Sequence, residues 1–225
     1  MKKTLSTIAL LLVISSNSFA DQVRITAGPY QAGVGGEFTA TPLNGDAGLT
    51  GLPADVSSDS FQTFRVQSNE TIGLGGPYDF SIGDFTVAGY IPLAPEVAYL
   101  YYNFRMGTLP GYDYGPNQTN RRSSANTLQK AIWYYMGGSA GSNNSFAQAA
   151  YEATHSGSDG QIIWSGIGDV RILRLFNGPH NVNGNNQDQL TIIPAPSALI
   201  LGIIGIGFAI WFKWYRTTRV ANAAF

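Results

Sequence analysis

Apolar residues recur in three arrangements along the chain, and each predicts a different kind of element. Short apolar or alternating runs bounded by Gly, Pro, Asn and Asp predict strands over 37–41, 61–67, 78–82, 85–88, 170–176 and 189–193. In the stretch from Val170 to Phe176, Leu173 and Leu175 put apolar groups on both faces, the pattern of a strand covered on two sides. Helical spacing appears three times. Pro95 and Glu96 suit the first turn of a helix whose Val97, Leu100, Tyr101 and Phe104 share a side and which Gly107 ends. A second helix is expected from a cap at Ser123 or Ser124, with Leu128, Ile132 and Tyr135 on one face and a stop at Gly137. A third, rich in alanine, spans about 145–154. The helices all fall between early and late strands, so the expected fold is α+β: a mainly antiparallel β domain with a helical insertion.

The third arrangement is an unbroken apolar block, found at both ends. Lys2 and Lys3 precede an apolar run from Ile8 to Ile14, and small residues follow at Ser18 and Ala20, the layout of a signal peptide over 1–20. Near the other end, Ala198 to Phe212 holds only apolar residues and glycine. A helix over 196–215 would span about 30 Å at roughly 1.5 Å per residue, the thickness of a bilayer's hydrocarbon core. Trp211, Trp214 and Tyr215 would lie at the interface, and Lys213, Arg216 and Arg219 would keep the terminus on the cytoplasmic side. The organisation expected is a signal peptide, an exported domain over 21–193, and a segment over 194–225 with one C-terminal transmembrane helix. The main domain then lies outside the cytoplasmic membrane.

Composition narrows the chemistry. The chain has no cysteine, which excludes disulfides, thiolate catalysis, cysteine-bound zinc and iron–sulfur clusters. All 14 acidic residues but only 8 of 13 basic ones lie in 21–193, leaving the domain at −6, a poor match for nucleic acid. His155 and His180 sit in polar, glycine-flanked stretches with no nucleophile elbow and no zinc spacing around them. The run Asn181-x-Asn183-x-Asn185 echoes an oxygen-ligand calcium loop, but only Asp188 brings charge and the closing glutamate of an EF-hand is missing, so it reads as a polar turn. No catalytic residue, cofactor or metal ligand is assigned from the sequence, and the chain is read as non-enzymatic.

Two resemblances add to this reading. Ile193-Pro194-Ala195-Pro196-Ser197, followed by a glycine-containing apolar segment and a basic tail, resembles the PEP-CTERM sorting signal of bacterial surface proteins, with Ala195 in the glutamate position. Pro194, Ala195 and Pro196 would then be the motif read by an exosortase-type transpeptidase, and Lys213, Arg216 and Arg219 its cytoplasmic basic tail. The resemblance is compatible with a retained anchor or with release or transfer to the cell surface after processing. The second is to the thioester domains of bacterial adhesins. Phe61-Gln62-Thr63-Phe64-Arg65-Val66 and Gln129-Lys130-Ala131-Ile132-Trp133 resemble their strand and helix motifs, in which a cysteine and a glutamine condense. Here the cysteine position is Arg65, so no thioester can form, and Gln129 has no sulfur partner in the chain.

A hydrogen bond from the Arg65 guanidinium to the Gln129 carbonyl oxygen would be a non-covalent substitute; the alternative is a guanidinium in solvent or paired with an acid. Lys130, the domain's one lysine, is read as solvated and not as part of an isopeptide crosslink. The crowd of Tyr99, Tyr101, Tyr102, Tyr112, Tyr114, Trp133, Tyr134 and Tyr135 serves either as core or, in part, as a sugar-stacking face. The function expected is adhesion or a matrix role through non-covalent contacts with the membrane, extracellular polysaccharide or other surface proteins. The competing readings are an exported polysaccharide hydrolase, which needs two carboxylates 5 to 10 Å apart in a cleft, and a carbohydrate-binding module.

Overall fold

Alternation of buried and solvent-facing positions builds a six-stranded sheet in the computed structural model. The model describes residues 22–193 apart from 34, 45–48, 139–142, 156–159 and 178–185, together with 207 and 211. Strands β1 (Gln22–Ala27), β2 (Phe38–Pro42), β3 (Phe61–Thr63), β4 (Pro77–Gly83), β5 (Val170–Phe176) and β6 (Gln189–Ile192) lie in the order β3-β2-β1-β4-β5-β6. Every pairing between them is antiparallel. Between β4 and β5 come α1 (Pro95–Arg105), α2 (Gln118–Tyr135) and α3 (Ser145–Thr154). The fold is therefore α+β, sheet first, with the helices inserted between early and late strands.

The two outer strands of this order meet. Beyond β3 the chain continues alongside β6: Arg65 pairs with Gln189, the Val66 amide donates to the Asp188 carbonyl at 3.0 Å, and the Leu190 amide donates to the Phe64 carbonyl at 3.1 Å. The Thr63 hydroxyl adds a bond to the Leu190 carbonyl at 2.7 Å. These bonds turn the sheet into a closed barrel, which satisfies main-chain groups that an open edge would leave unpaired.

Strand alternation then separates two cores. Val23, Ile25, Phe38, Ala40, Phe61, Leu173 and Leu175 fill the inside of the ring. Phe64, Val66, Val170, Ile172, Leu190 and Ile192 point outward, where the three helices cover them with Val97, Leu100, Tyr101, Phe104, Leu128, Ile132 and Phe146. β5 is buried on both faces, as its composition predicts. Arg105 closes the inner core from α1. It is fully buried over the Phe61 ring at 4.9 Å, with Nη2 donating to the Leu49 carbonyl at 2.8 Å and to Asp55 at 3.0 Å.

Beyond one-residue shifts at the ends of β2, β4 and β6 and a β3 that stops at Thr63 instead of running to residue 67, three elements differ from the sequence-based expectation. α2 begins at Gln118, not after Ser123 or Ser124, because the Asn117 side chain accepts the Thr119 and Asn120 amides and so caps the helix first. Residues 85–88 form a turn instead of a strand: the Thr86 hydroxyl donates to the Ala88 carbonyl and accepts the Ile91 amide, drawing the backbone into local bonds. β1 is not among the strands expected from the sequence, although Val23 and Ile25 alternate with polar neighbours. Among the described residues no helix is long and apolar enough to cross a membrane. The expected signal peptide over 1–20 lies outside the described residues, as do Pro194, Ala195, Pro196, Lys213, Arg216, Arg219 and, except for 207 and 211, the expected helix over 196–215.

Candidate site at the junction of strand and helix

Gln129 sits on the buried face of α2, one residue past Leu128 and three before Ile132, and is 1% exposed. That face lies against the segment leaving β3, so the side chain ends at Arg65. Its Oε1 accepts the Arg65 amide at 3.0 Å and the Gly36 amide at 3.1 Å, while Nε2 donates to the Arg65 carbonyl at 2.8 Å. One side-chain amide thus reproduces a two-way strand pairing with residue 65 and also holds the strap that precedes β2.

The two positions singled out by the thioester resemblance are neighbours in space, but the contact differs from the one anticipated. It runs through the main chain of Arg65. The guanidinium points the other way, because alternation places Phe61, Thr63 and Arg65 on the inner side of the barrel. It lies 5.2 Å from the centre of the Phe38 ring, its Nε has no hydrogen-bond partner, and burial lowers its pKa. Of the two alternatives expected for Arg65, no acid partner is found among the described residues, and the guanidinium is half-buried instead of fully solvated.

The strap itself leaves no room for side chains. A Cβ at Gly35 would come within 2.5 Å of Gln129 Cγ, and one at Gly36 within 2.6 Å of the Phe64 ring. The next residue, Glu37, is fully buried and receives Arg121 from α2 through Nε to Oε1 at 2.7 Å and Nη2 to Oε2 at 2.9 Å. The Tyr112 hydroxyl also donates to Glu37, and Tyr30 covers the guanidinium at 4.1 Å. Burial, and then the charge on Glu37, pushes the Tyr112 phenol upward. Arg121 and Gln129 are two helical turns apart, about 12 Å along α2, and so fasten the strap at two points. The ion pair had no signal in the sequence, since its partners stand 84 positions apart.

This arrangement binds chain to chain and offers little to a substrate. Lys130 is exposed and His155 is exposed, 3.6 Å from Glu96; His180 is outside the described residues. No group of three or more His, Asp or Glu side chains converges among the described residues. The aromatic crowd divides. Tyr101 and Tyr112 are core, Tyr99, Tyr102, Tyr114, Trp133 and Tyr135 are half-buried, and Tyr134 is exposed. Tyr134 and Tyr151, with Tyr135 and Gln148, border a shallow groove of about 200 Å³ between α2 and α3. The chain matches no protein-family model, no curated protein and no solved structure.

Proposed function

We propose that the chain is a non-enzymatic bacterial cell-surface or matrix protein, exported by its N-terminal segment and addressed by a PEP-CTERM-like tail over 194–225, with 196–215 as membrane helix. In this reading an exosortase-type transpeptidase processes or positions the tail, and the barrel domain works outside the membrane by reversible contacts with polysaccharide or other surface proteins. The observation that carries it is the disposition of Gln129. Its amide is committed to Arg65 and Gly36, so the junction that resembles a thioester site is a non-covalent latch with no activated acyl group to transfer. The groove at Tyr134 and Tyr151 supports polysaccharide as the target, because exposed phenol surface with a neighbouring amide suits sugar stacking, although one face of Tyr151 is taken by the stacked His155 ring at 4.3 Å.

Fractionation of cells expressing the full chain, or the chain ended at residue 193, tests the address. The full chain is expected in the membrane or on the surface with residues 22–193 open to external protease, and the shortened chain in the exported soluble fraction. Retention of the full chain in the cytoplasm with an intact N-terminus overturns the reading.

A further inference from the structure

Burying a carboxylate is costly unless a counter-charge or a full set of hydrogen bonds accompanies it. Elsewhere the molecule obeys this rule. Among the described residues Glu37 has Arg121, Asp55 has Arg105, and Asp79 accepts from Gln22, while Glu96 lies at the edge of burial 3.6 Å from the exposed His155. Glu70 and Asp188 break it. They are 8% and 0% exposed, and neither is in an ion pair among the described residues.

Several bonds bring the two together with a third side chain. Glu70 accepts the main-chain amide of Asp188, and Thr71 bridges to Asn186. Asp188 Oδ2 accepts the Val87 amide at 2.7 Å, and Gln67 Nε2 donates to the Ala88 carbonyl at 3.0 Å, so both side chains end on successive residues of one turn. Beside one unpaired donor, Asn186 Nδ2, what remains on these three side chains is oxygen. Gln67 Oε1, Glu70 Oε2 and Asp188 Oδ1 are each buried without a hydrogen-bond partner. The Leu175 amide also bonds to Asp188 and the Arg174 charge acts on it, but Arg174 makes no ion pair with it and its Nε donates to the Phe85 carbonyl at 2.7 Å.

We infer that Gln67, Glu70 and Asp188 form a binding site for a calcium ion. Two carboxylates and a neutral amide oxygen are hard ligands of the type this ion selects, and it tolerates irregular geometry with main-chain carbonyls or water completing six to eight positions. A smaller ion that demands a regular octahedron and keeps its water fits a crowded, mostly dry cluster less well. A cavity of about 410 Å³ bordered by Gln67, Ser68, Asn69, Ile91 and Met136 reaches the site at Gln67 only; Glu70 and Asp188 do not line it. The carboxylates lie too deep for a sugar ring, which separates this site from the paired acids of a glycoside hydrolase. Its place in the fold gives the ion a role: it would tie the 67–71 segment to the chain entering β6, beside the bonds that close the barrel.

The test uses the full chain purified in detergent, freed of metal with chelator and titrated with CaCl2 and with MgCl2 by calorimetry and thermal unfolding. The expected result is one calcium per chain, with a dissociation constant of about 0.1–1 mM as in extracellular calcium modules, weaker magnesium binding, and a higher unfolding midpoint with calcium. Glu70→Gln is expected to weaken calcium binding by about tenfold or more while the apo protein stays folded, since the amide has the same shape and needs no counter-charge; Asp188→Asn should abolish it. Should Asp188→Asn not fold, Glu70→Gln alone decides. No heat and no midpoint change at millimolar CaCl2, or binding unaffected by Glu70→Gln, overturns the inference. A midpoint that responds to pH and not to calcium would overturn it too, leaving the carboxylates to share a proton.

Discussion

Gln129 shows how much one neutral side chain can hold. Replacing it with alanine would strand the Arg65 amide and carbonyl and the Gly36 amide, all in places that water reaches poorly. Each unpaired buried group costs roughly 1–3 kcal/mol, with some relief from relaxation. Gln129→Ala is therefore expected to lower the stability of the domain by about 3 kcal/mol, read as a lower urea midpoint at unchanged slope. Arg65→Met should cost less, because the main-chain bonds survive and the guanidinium it removes is itself short of a partner. Equal losses for the two substitutions would mean that the arginine side chain, and not the latch, holds the junction.

At the scale of elements, α2 fastens the strap over 35–37 with an ion pair at one point and an amide at the other. Removing one member of a buried pair leaves the other charged and alone, at a cost of about 3–5 kcal/mol, whereas removing both is far cheaper. Glu37→Gln and Arg121→Met should each be strongly destabilising, and the double variant should lose clearly less than the two together. Additive losses in a double-mutant cycle would show that the pair is not coupled.

The same elements show what a sequence can and cannot disclose. Helices α1 and α3 were legible because their spacing and boundary residues are local, and β5 because its apolar residues occupy both faces. The sequence places the start of α2 late because a serine pair and an asparagine compete as caps, and only packing decides between them. Arg65 and Gln129 could be named as a pair from their motifs, but the direction of the arginine depends on strand alternation around a closed ring. Glu37 with Arg121, and Glu70 with Asp188, have no local signature at all, since their partners are brought together only by the fold.

For the whole molecule, the buried acids set the response to pH. Burial, and next the neighbouring charge of Glu70, raises Asp188 to about 7, and burial also raises Glu70 and Asp55. In metal-free protein a raised acid keeps its proton in the folded state at pH values where the unfolded chain has released it, so the contribution of these groups is fullest below about pH 4 and falls as pH rises towards 7. For Asp188 alone the loss approaches about 4 kcal/mol as an upper bound, from 1.36 kcal/mol per unit. Chemical denaturation of the chelated protein between pH 5 and 8 is expected to show a falling midpoint, and Asp188→Asn should flatten that slope. A midpoint that rises across this range would contradict the assignment of Asp188 as a raised, buried acid.

Closure of the ring sets the order in which the chain can finish folding. Thr63 and Leu190, which bond across the seam, stand 127 positions apart, and β6 ends at Ile192. Contacts between such distant partners are slow to form, because a long loop must be ordered before they contribute. As the polypeptide emerges from its N-terminus, the early strands wait as an open sheet until the last four-residue strand arrives. The domain is thus kept pliable through nearly all of its emergence and locks only at the end, when the segment after residue 193 is next to follow.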